Sequence, residues 1–335
     1  MQHLADKKSM KEKILEFLSE QDGFVSGQDI SHALGVSRTA IWKYMNALRE
    51  EGYEIESVTR KGYRLIHRPD ILSVEEIRRH LKRGVITGEL KVFSSIDSTN
   101  EEAKRAYLAG FPDRSLFVAD HQTAGKGRRG RSWLSPKGQD VFITFLLKPV
   151  LPPECASMLT LIAALAAVKA MEKHSMEEYR IKWPNDIVLH GKKICGILTE
   201  MSADMDDIHY IVAGMGFNLN RTEFAEDISS TASSVYKETE KKVDRTRFVA
   251  DFAEEFMKRY DLFLEEQNLS SFVKEYNKYL INVGREVKLI RRDGEVVRKA
   301  LGINQLGELL VQDENGQTEA VFSGEVSVRG LYGYV

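Results

Sequence analysis

Residues 125–136 read GKGRRGRSWLSP, and how this run is taken decides the fold around it. Gly125, Gly127 and Gly130 match the G-x-G-x-x-G spacing of a dinucleotide-binding turn, which would imply a doubly wound parallel sheet. That motif has to open a helix whose N-terminus receives the pyrophosphate. Here Ser132-Trp133-Leu134-Ser135-Pro136 follows, with no helical period. The glycines therefore give backbone freedom to a loop. Its cations Lys126, Arg128, Arg129 and Arg131, with Lys137 beyond, are expected to close over an anion such as a triphosphate or a carboxylate. No acid lies among them, so the loop is expected to repel itself until a polyanion relieves it.

Moving outward, Asp97-Ser98-Thr99-Asn100 opens a helix running to Ala109, whose N-terminal hydroxyls and N–H groups suit polar ligand atoms. Downstream, KWPNDI (182–187) follows a strand over Tyr179–Trp183. Pro184 turns the chain so that Lys182, Asn185 and Asp186 point out of the sheet, and Asp186 is a candidate to hold a metal ion. Lys193, in KKICGIL, returns towards Asp186 through a hairpin at His190-Gly191. GMGFNLN (214–220) follows an apolar strand and offers Asn218 and Asn220 as amides for a base or ribose edge. Between residues 70 and 282 short strands and helices mix without a βαβ period, which predicts an antiparallel or mixed sheet in an α+β domain, closed by two amphipathic helices over 245–282. Past Gly284, strands over Glu286–Arg291, Leu309–Val311 and Val321–Val328, a turn at Asp293-Gly294 and the glycines at 302, 307, 316 and 324 predict a small β-barrel.

Residues 1–66 parse as three helices and a two-stranded wing. Ser26 with Asp29 predicts a capping box for a short helix ending at Gly35, and Ser37 caps a third helix carrying Ile41, Met45 and Leu48 inward. Arg38, Thr39, Trp42, Lys43, Asn46 and Arg49 then fall mostly on other faces. Arg60 and Lys61 tip the wing, and together these residues suit DNA phosphates and base edges. His67-Arg68-Pro69-Asp70 reads as a linker, and the pattern restarts with a Ser73/Glu76 capping box, giving domains at 1–66, 70–282 and 284–335.

The composition agrees with folded, multidomain protein: 335 residues, 42% hydrophobic, 29% charged and seven prolines. A formal charge of −2 excludes a generally basic coat, so any DNA contact must be a local patch. Cys155 and Cys195 form neither a disulfide framework nor a metal spacing, which points to a reducing cytoplasm. The apolar run Met158–Val168 is Ala-rich and stops at Lys169; it is expected to be a buried core helix, with no membrane role.

Taken in order, DSTN (97–100), HQTAGKGRRGRSW (121–133), KWPND (182–186), KKICGIL (192–198) and GMGFNLN (214–220) resemble the biotin protein ligases, specifically the bifunctional bacterial type that is also the biotin operon repressor. The match spans essentially the whole chain. The resemblance implies a winged helix, a central domain similar to class II aminoacyl-tRNA synthetases and an SH3-like barrel. It also implies biotin and ATP as substrates with Mg²⁺, formation of biotinyl-5′-AMP, and transfer to a lysine of the biotin carboxyl carrier protein of acetyl-CoA carboxylase. Operator DNA and a homodimer formed on adenylate binding complete the expectation.

By position, the resemblance places biotin against Ser98, Thr99 and Gln122, under a loop at Gly125, Lys126 and Arg128, with Lys193 catalytic and Gly196 and Gly214 beside the ligand. Trp133 and Asn218 fall on the adenylate side, joined there by the phosphate-handling Arg128, Arg129, Arg131, Lys182 and Asn185; Asp186 completes the catalytic set. Lys126 stands where the common pattern is GRGRRG, which keeps charge but loses a planar fork. Two rivals are a lipoate ligase, which would lack the N-terminal DNA module, and a non-enzymatic sensor, which would not need Lys193, Asp186 and the arginine loop.

Overall fold

The computed structural model describes residues 9–21, 23–205, 207–291, 294–323 and 327–330. Its chain divides after His80 into two compact units. The first contains helices α1 (Met10–Ser19), α2 (Gly27–Leu34) and α3 (Arg38–Glu50), the hairpin β1 (Glu54–Val58) and β2 (Gly62–His67), and helix α4 (Val74–His80). Ser26 and Ser37 cap α2 and α3 by accepting from the N–H groups of Asp29 and Ala40, and Gly35 ends α2 in the left-handed conformation. Ile14, Leu18, Ile30, Ile41, Met45 and Leu48 meet in one core.

Two capping details differ from expectation. The Asp29 carboxylate accepts from the Ser26 hydroxyl (2.7 Å), where a capping box would use the Ser26 N–H. Glu76, caught at its N–H by Ser73, sends its carboxylate away from the box to Tyr53 Oη (2.9 Å), Arg68 and Arg79. That buried carboxylate bolts α4 onto the winged helix, so the compact unit continues past the stretch 67–70.

The second unit is built on a seven-stranded mixed sheet in the order β3-β4-β5-β9-β8-β7-β6. Its strands are β3 (Leu90–Phe93), β4 (Ser115–Ala119), β5 (Val141–Leu147), β6 (Arg180–Lys182), β7 (Asp186–Leu189), β8 (Lys192–Ala203) and β9 (Ile208–Phe217). Only β3 and β4 pair in parallel; the other neighbours are antiparallel. The helices are α5 (Thr99–Leu108), α6 (Met158–His174), the short α7 (Glu226–Ser229) and α8 (Val235–Thr239), and then α9 (Arg245–Glu266) and α10 (Val273–Tyr279).

Strand alternation assigns the faces. Phe145 and Phe217 point to α9, where Phe145 stacks on Phe256 and Phe217 meets Phe248 and Phe252 edge to face, while Thr199 meets Thr160 of α6. The α6 helix together with the short 3-10 turn before it is apolar enough to cross a membrane by composition, but its side chains are mostly buried inside this protein, as expected of a core helix. The last strands, β10 (Glu286–Arg291), β11 (Gly294–Ile303), β12 (Leu309–Gln312), β13 (Thr318–Val321) and β14 (Ser327–Gly330), form an antiparallel sheet in the order β13-β12-β11-β10-β14. The expected turn residue Asp293 and Gly324 lie outside the described residues.

Candidate functional site

On the sheet face opposite α9 the even-numbered residues of β5, β8 and β9 come together, and they include Gly196, Gly214 and Gly216. These glycines leave the floor open. A Cβ on Gly214 would sit 2.0 Å from Asn100 Oδ1, and one on Gly196 2.7 Å from the Trp133 ring and 2.9 Å from Lys193 Cε. Period-two alternation thus explains why glycine recurs at 196, 214 and 216 in two different motifs.

Over this floor lies a cleft lined among others by Ser98, Thr99, Gln122, Lys126, Arg128, Trp133, Lys193, Gly196 and Gly214. The N-terminus of α5 forms its end wall. Ser98 takes the N-cap position without capping through its hydroxyl, and Thr99 donates its N–H (2.8 Å) and hydroxyl (3.1 Å) to Gln122 Oε1. Behind them, Thr144 Oγ1 lies 2.8 Å from Thr99 Oγ1 and donates to Asn100 Oδ1 (2.7 Å), and Asn100 donates to Glu200 (2.8 Å). Hydroxyls and amides held by one another in this way present fixed donors and acceptors to a polar ligand head. Gly125 does not line the cleft; its Cα packs beside Gln122 and Ser135, close enough that a Cβ would lie 2.9 Å from Ser135 Oγ.

A second, larger cleft adjoins the first. Arg128, Arg129, Arg131, Trp133, Lys182, Asn185, Asp186, Lys193 and Asn218 line it, and Gly127, Arg128, Trp133, Asn185 and Lys193 belong to both. Lys193 Nζ sits 2.5 Å from Asp186 Oδ1 and 5.1 Å from the Trp133 ring centroid. The hairpin brings the pair together, with Asp186 opposite Gly196 in the ladder. Arg128 donates to Asn185 Oδ1 (3.0 Å) and to the Ser323 carbonyl (2.7 Å). Burial pushes its guanidinium pKa below the ordinary value, against the opposing charge of Asp186. A desolvated cation of this kind favours an arriving anion. Cys195, next to the lysine, is fully buried and its thiol is pushed well up by that burial, so it is no nucleophile. Trp133 Nε1 and Asn218 Oδ1 are buried without a hydrogen-bond partner among the described residues. Such orphan groups suit a ligand that supplies the partners.

The loop departs from its expected self-repulsion in one respect: Lys126 Nζ reaches Glu101 Oε1 of α5 at 2.8 Å. The acid comes from a helix 25 residues earlier, where inspection of the loop alone does not find it. Asn100, Thr144, Glu200 and Arg221 also belong to the site and carried no role in the sequence reading. Asn100 sits inside DSTN, and Arg221 directly follows GMGFNLN, which was the available signal.

On the first unit, Arg38, Thr39, Lys43, Arg60 and Lys61 are exposed, Asn46 is half-buried, and Trp42 is 55% exposed on α3. The wing cations have an internal support, since Lys61 and Arg64 lie over the Phe24 ring at 5.9 and 4.8 Å. Arg49 turns inward: it donates to the Ile55 carbonyl (2.9 and 3.0 Å) and to Asn46 Oδ1 (3.2 Å), tying the wing to α3.

Three family models match in the same order along the chain: an HTH domain at 11–64, the biotin/lipoate A/B protein ligase family at 92–218, and the biotin protein ligase C terminal domain at 283–329. Together with the two-part cleft they define the class, a carboxylic-acid ligase joined to a DNA-binding helix-turn-helix. The bifunctional ligase/repressor BirA of Bacillus subtilis is 36% identical over 96% of this chain and 99% of its own length, and that of Escherichia coli 30% identical over 95% and 96%. Biotin protein ligase from Aquifex aeolicus, solved in complex with biotin and ATP, is 30% identical over 72% of this chain and 99% of its own, with a TM-score of 0.64. The chain belongs to the bifunctional biotin protein ligase/repressor family, and is a biotin ligase and a transcriptional repressor.

Proposed function

We propose that the smaller cleft takes biotin, the larger takes ATP, and the five residues common to both mark where carboxylate and α-phosphate meet. That sharing is the observation that carries the assignment. A biotin carboxylate oxygen attacks the α-phosphorus, the bond to the bridging β-phosphate oxygen breaks, and pyrophosphate leaves. Both reactants are anionic, so their approach needs cations already in place: Lys193, oriented by Asp186, and Arg128 supply them. Ser98, Thr99, Gln122, Lys126, Gly196 and Gly214 then surround biotin, and Gly125, packed against Gln122 and Ser135, supports that wall from behind. Arg129, Arg131, Trp133, Lys182, Asn185 and Asn218 serve the nucleotide, with the buried Trp133 Nε1 and Asn218 Oδ1 available to it. In the second step a lysine amine of a biotin carboxyl carrier protein attacks the mixed anhydride and AMP leaves.

Among the described residues no three His, Cys, Asp or Glu side chains converge on a metal position, and the Asp186 carboxylate lies against Lys193. With that carboxylate engaged by a lysine, we assign Mg²⁺ no protein ligand, and in this scheme the ion enters as the counterion of ATP. Within the α+β architecture we assign the central domain to the class II aminoacyl-tRNA synthetase-like type and the last sheet to an SH3-like barrel. Functional domains fall at 1–66, 70–282 and 284–335, with α4 as a stem held on the first. The setting we assign is the cytoplasm.

Repression follows from the same intermediate. Biotinyl-AMP favours a homodimer, two winged helices engage a palindromic operator, and Arg38, Thr39, Trp42, Lys43, Asn46, Arg60 and Lys61 contact the DNA. Residues 1–66 carry as many acidic as basic residues, so one half-site alone is held weakly and pairing matters. Sedimentation and gel-shift titrations with biotin, ATP or both test this. Dimer and tight operator complex are expected only with both substrates, and operator affinity indifferent to the adenylate would overturn it.

A further inference from the structure

Two segments outside the sheet wall the larger cleft, the loop through residue 135 and the stretch from Arg221 to Ser234. One side chain holds both. Arg221 is buried, and its guanidinium donates to the Leu134 carbonyl (2.6 Å), where the first loop returns to the sheet, and to Asp140 Oδ2 (2.7 Å) just before β5. Asp140 is fully buried; its other oxygen accepts from the Leu219 N–H (3.0 Å), and its carbonyl accepts from Arg245 (3.2 Å), which also pairs with Asp120. The Phe224 ring lies 4.9 Å from the Arg221 guanidinium. The second segment is in turn fastened to the strand of the catalytic lysine: the Lys193 N–H donates to the Thr231 carbonyl (2.8 Å), and the Ser233 N–H to the Lys193 carbonyl (2.9 Å).

We propose that Arg221 is a positioning residue for retention of the adenylate: it locks the return of the glycine-arginine loop to the segment that walls the nucleotide, so that the two close as one. The proposal rests on the assignment of the larger cleft to the nucleotide. A buried ion pair is weak evidence for stability, since apolar residues of the same volume often pack as well. What an arginine adds is direction, a planar fork that reaches the carboxylate at the entry to β5 and a loop carbonyl at once. Arg221 lines the larger cleft and not the smaller, so its influence is expected on the nucleotide half of the ligand.

The test uses the full chain with Arg221→Lys and Arg221→Gln. Release of preloaded radiolabelled biotinyl-AMP, dissociation of biotin without nucleotide, and thermal melting are measured side by side. Lysine keeps a charge but cannot span both acceptors, so Arg221→Lys is expected to release the adenylate about tenfold faster, the scale of one charge-assisted hydrogen bond. Biotin dissociation should stay within about twofold, because the smaller cleft is untouched. Combining Arg221→Lys with Arg128→Gly is expected to give less than the product of the two effects, since both act through one loop. Adenylate release at the wild-type rate would overturn the proposal, and so would equal acceleration of biotin and adenylate release with a lowered melting point. If Arg221→Gln does not fold, the lysine variant alone decides. A Lys193→Ala protein that still releases pyrophosphate would instead overturn the site beneath the proposal.

Discussion

On the winged helix Arg38, Lys43, Arg60 and Lys61 stand in solvent on a helix and a turn, whereas in the ligase cleft Arg128, Lys193 and Arg221 are each held against a defined oxygen atom. The first group acts through a field that salt screens over about 8 Å at physiological ionic strength. The second acts through position, in surroundings where a displaced charge is poorly screened. Cations of equal formal charge should therefore differ in how much one substitution does and in whether salt changes it.

Lys193→Ala should show the largest effect. On the proposed assignment it removes the cation between carboxylate and α-phosphate, and adenylate formation should fall by at least about a thousandfold, comparable with losing a preorganised oxyanion donor. Melting and ligand-free operator affinity should be nearly unchanged. Pyrophosphate release at near-wild-type rate would break the contrast between the two regions at its strongest point.

Arg128→Gly comes next. It deletes the two hydrogen bonds to Asn185 and Ser323 and adds backbone freedom to a loop with three glycines. Release of the adenylate should rise by about tenfold to a hundredfold, with biotin appearing on unrelated lysines of added albumin. Adenylate-dependent operator binding should weaken in parallel. Wild-type retention with label confined to the carrier would place the loop elsewhere.

Substitutions on the DNA face should be milder and salt-dependent. Arg38→Ala, Lys43→Ala or Arg60→Ala should each weaken operator binding by about threefold to tenfold near physiological salt and lower the salt slope by roughly one phosphate contact. Biotin transfer should not change. A loss that persists unaltered at high salt would mean that these side chains act through position, as those in the cleft do.

The smallest effect concerns pH. Burial pushes the Asp140 carboxyl up to about 6, against the opposing charges of Arg221 and Arg245. As pH falls through about 6 the carboxylate gains a proton and the ion pair with Arg221 weakens, so adenylate should be released faster below that pH than above it. Asp140→Asn should lack this step, and an identical step in that variant would assign it to another group.

The same contrast explains what was legible in the sequence. Helix caps, the wing hairpin and the Asp186–Lys193 hairpin are short-range features, written close to themselves in the sequence. The cleft's own partners are long-range. Glu101 meets Lys126, and Arg221 meets Asp140 and Leu134, only once the chain has folded. Arg49 illustrates the limit: helical spacing places it outward, yet its fork bends to the Ile55 carbonyl of β1. A charged side chain's type and spacing suggest a surface, but burial and a partner decide its use.

The most direct test is pyrophosphate release from ATP by wild-type protein and Lys193→Ala, each offered biotin or lipoate. Release is expected from the wild type with biotin, little with lipoate, and at least about a thousandfold less from the variant with biotin. Equal release with lipoate, or undiminished release by the variant, would contradict that expectation.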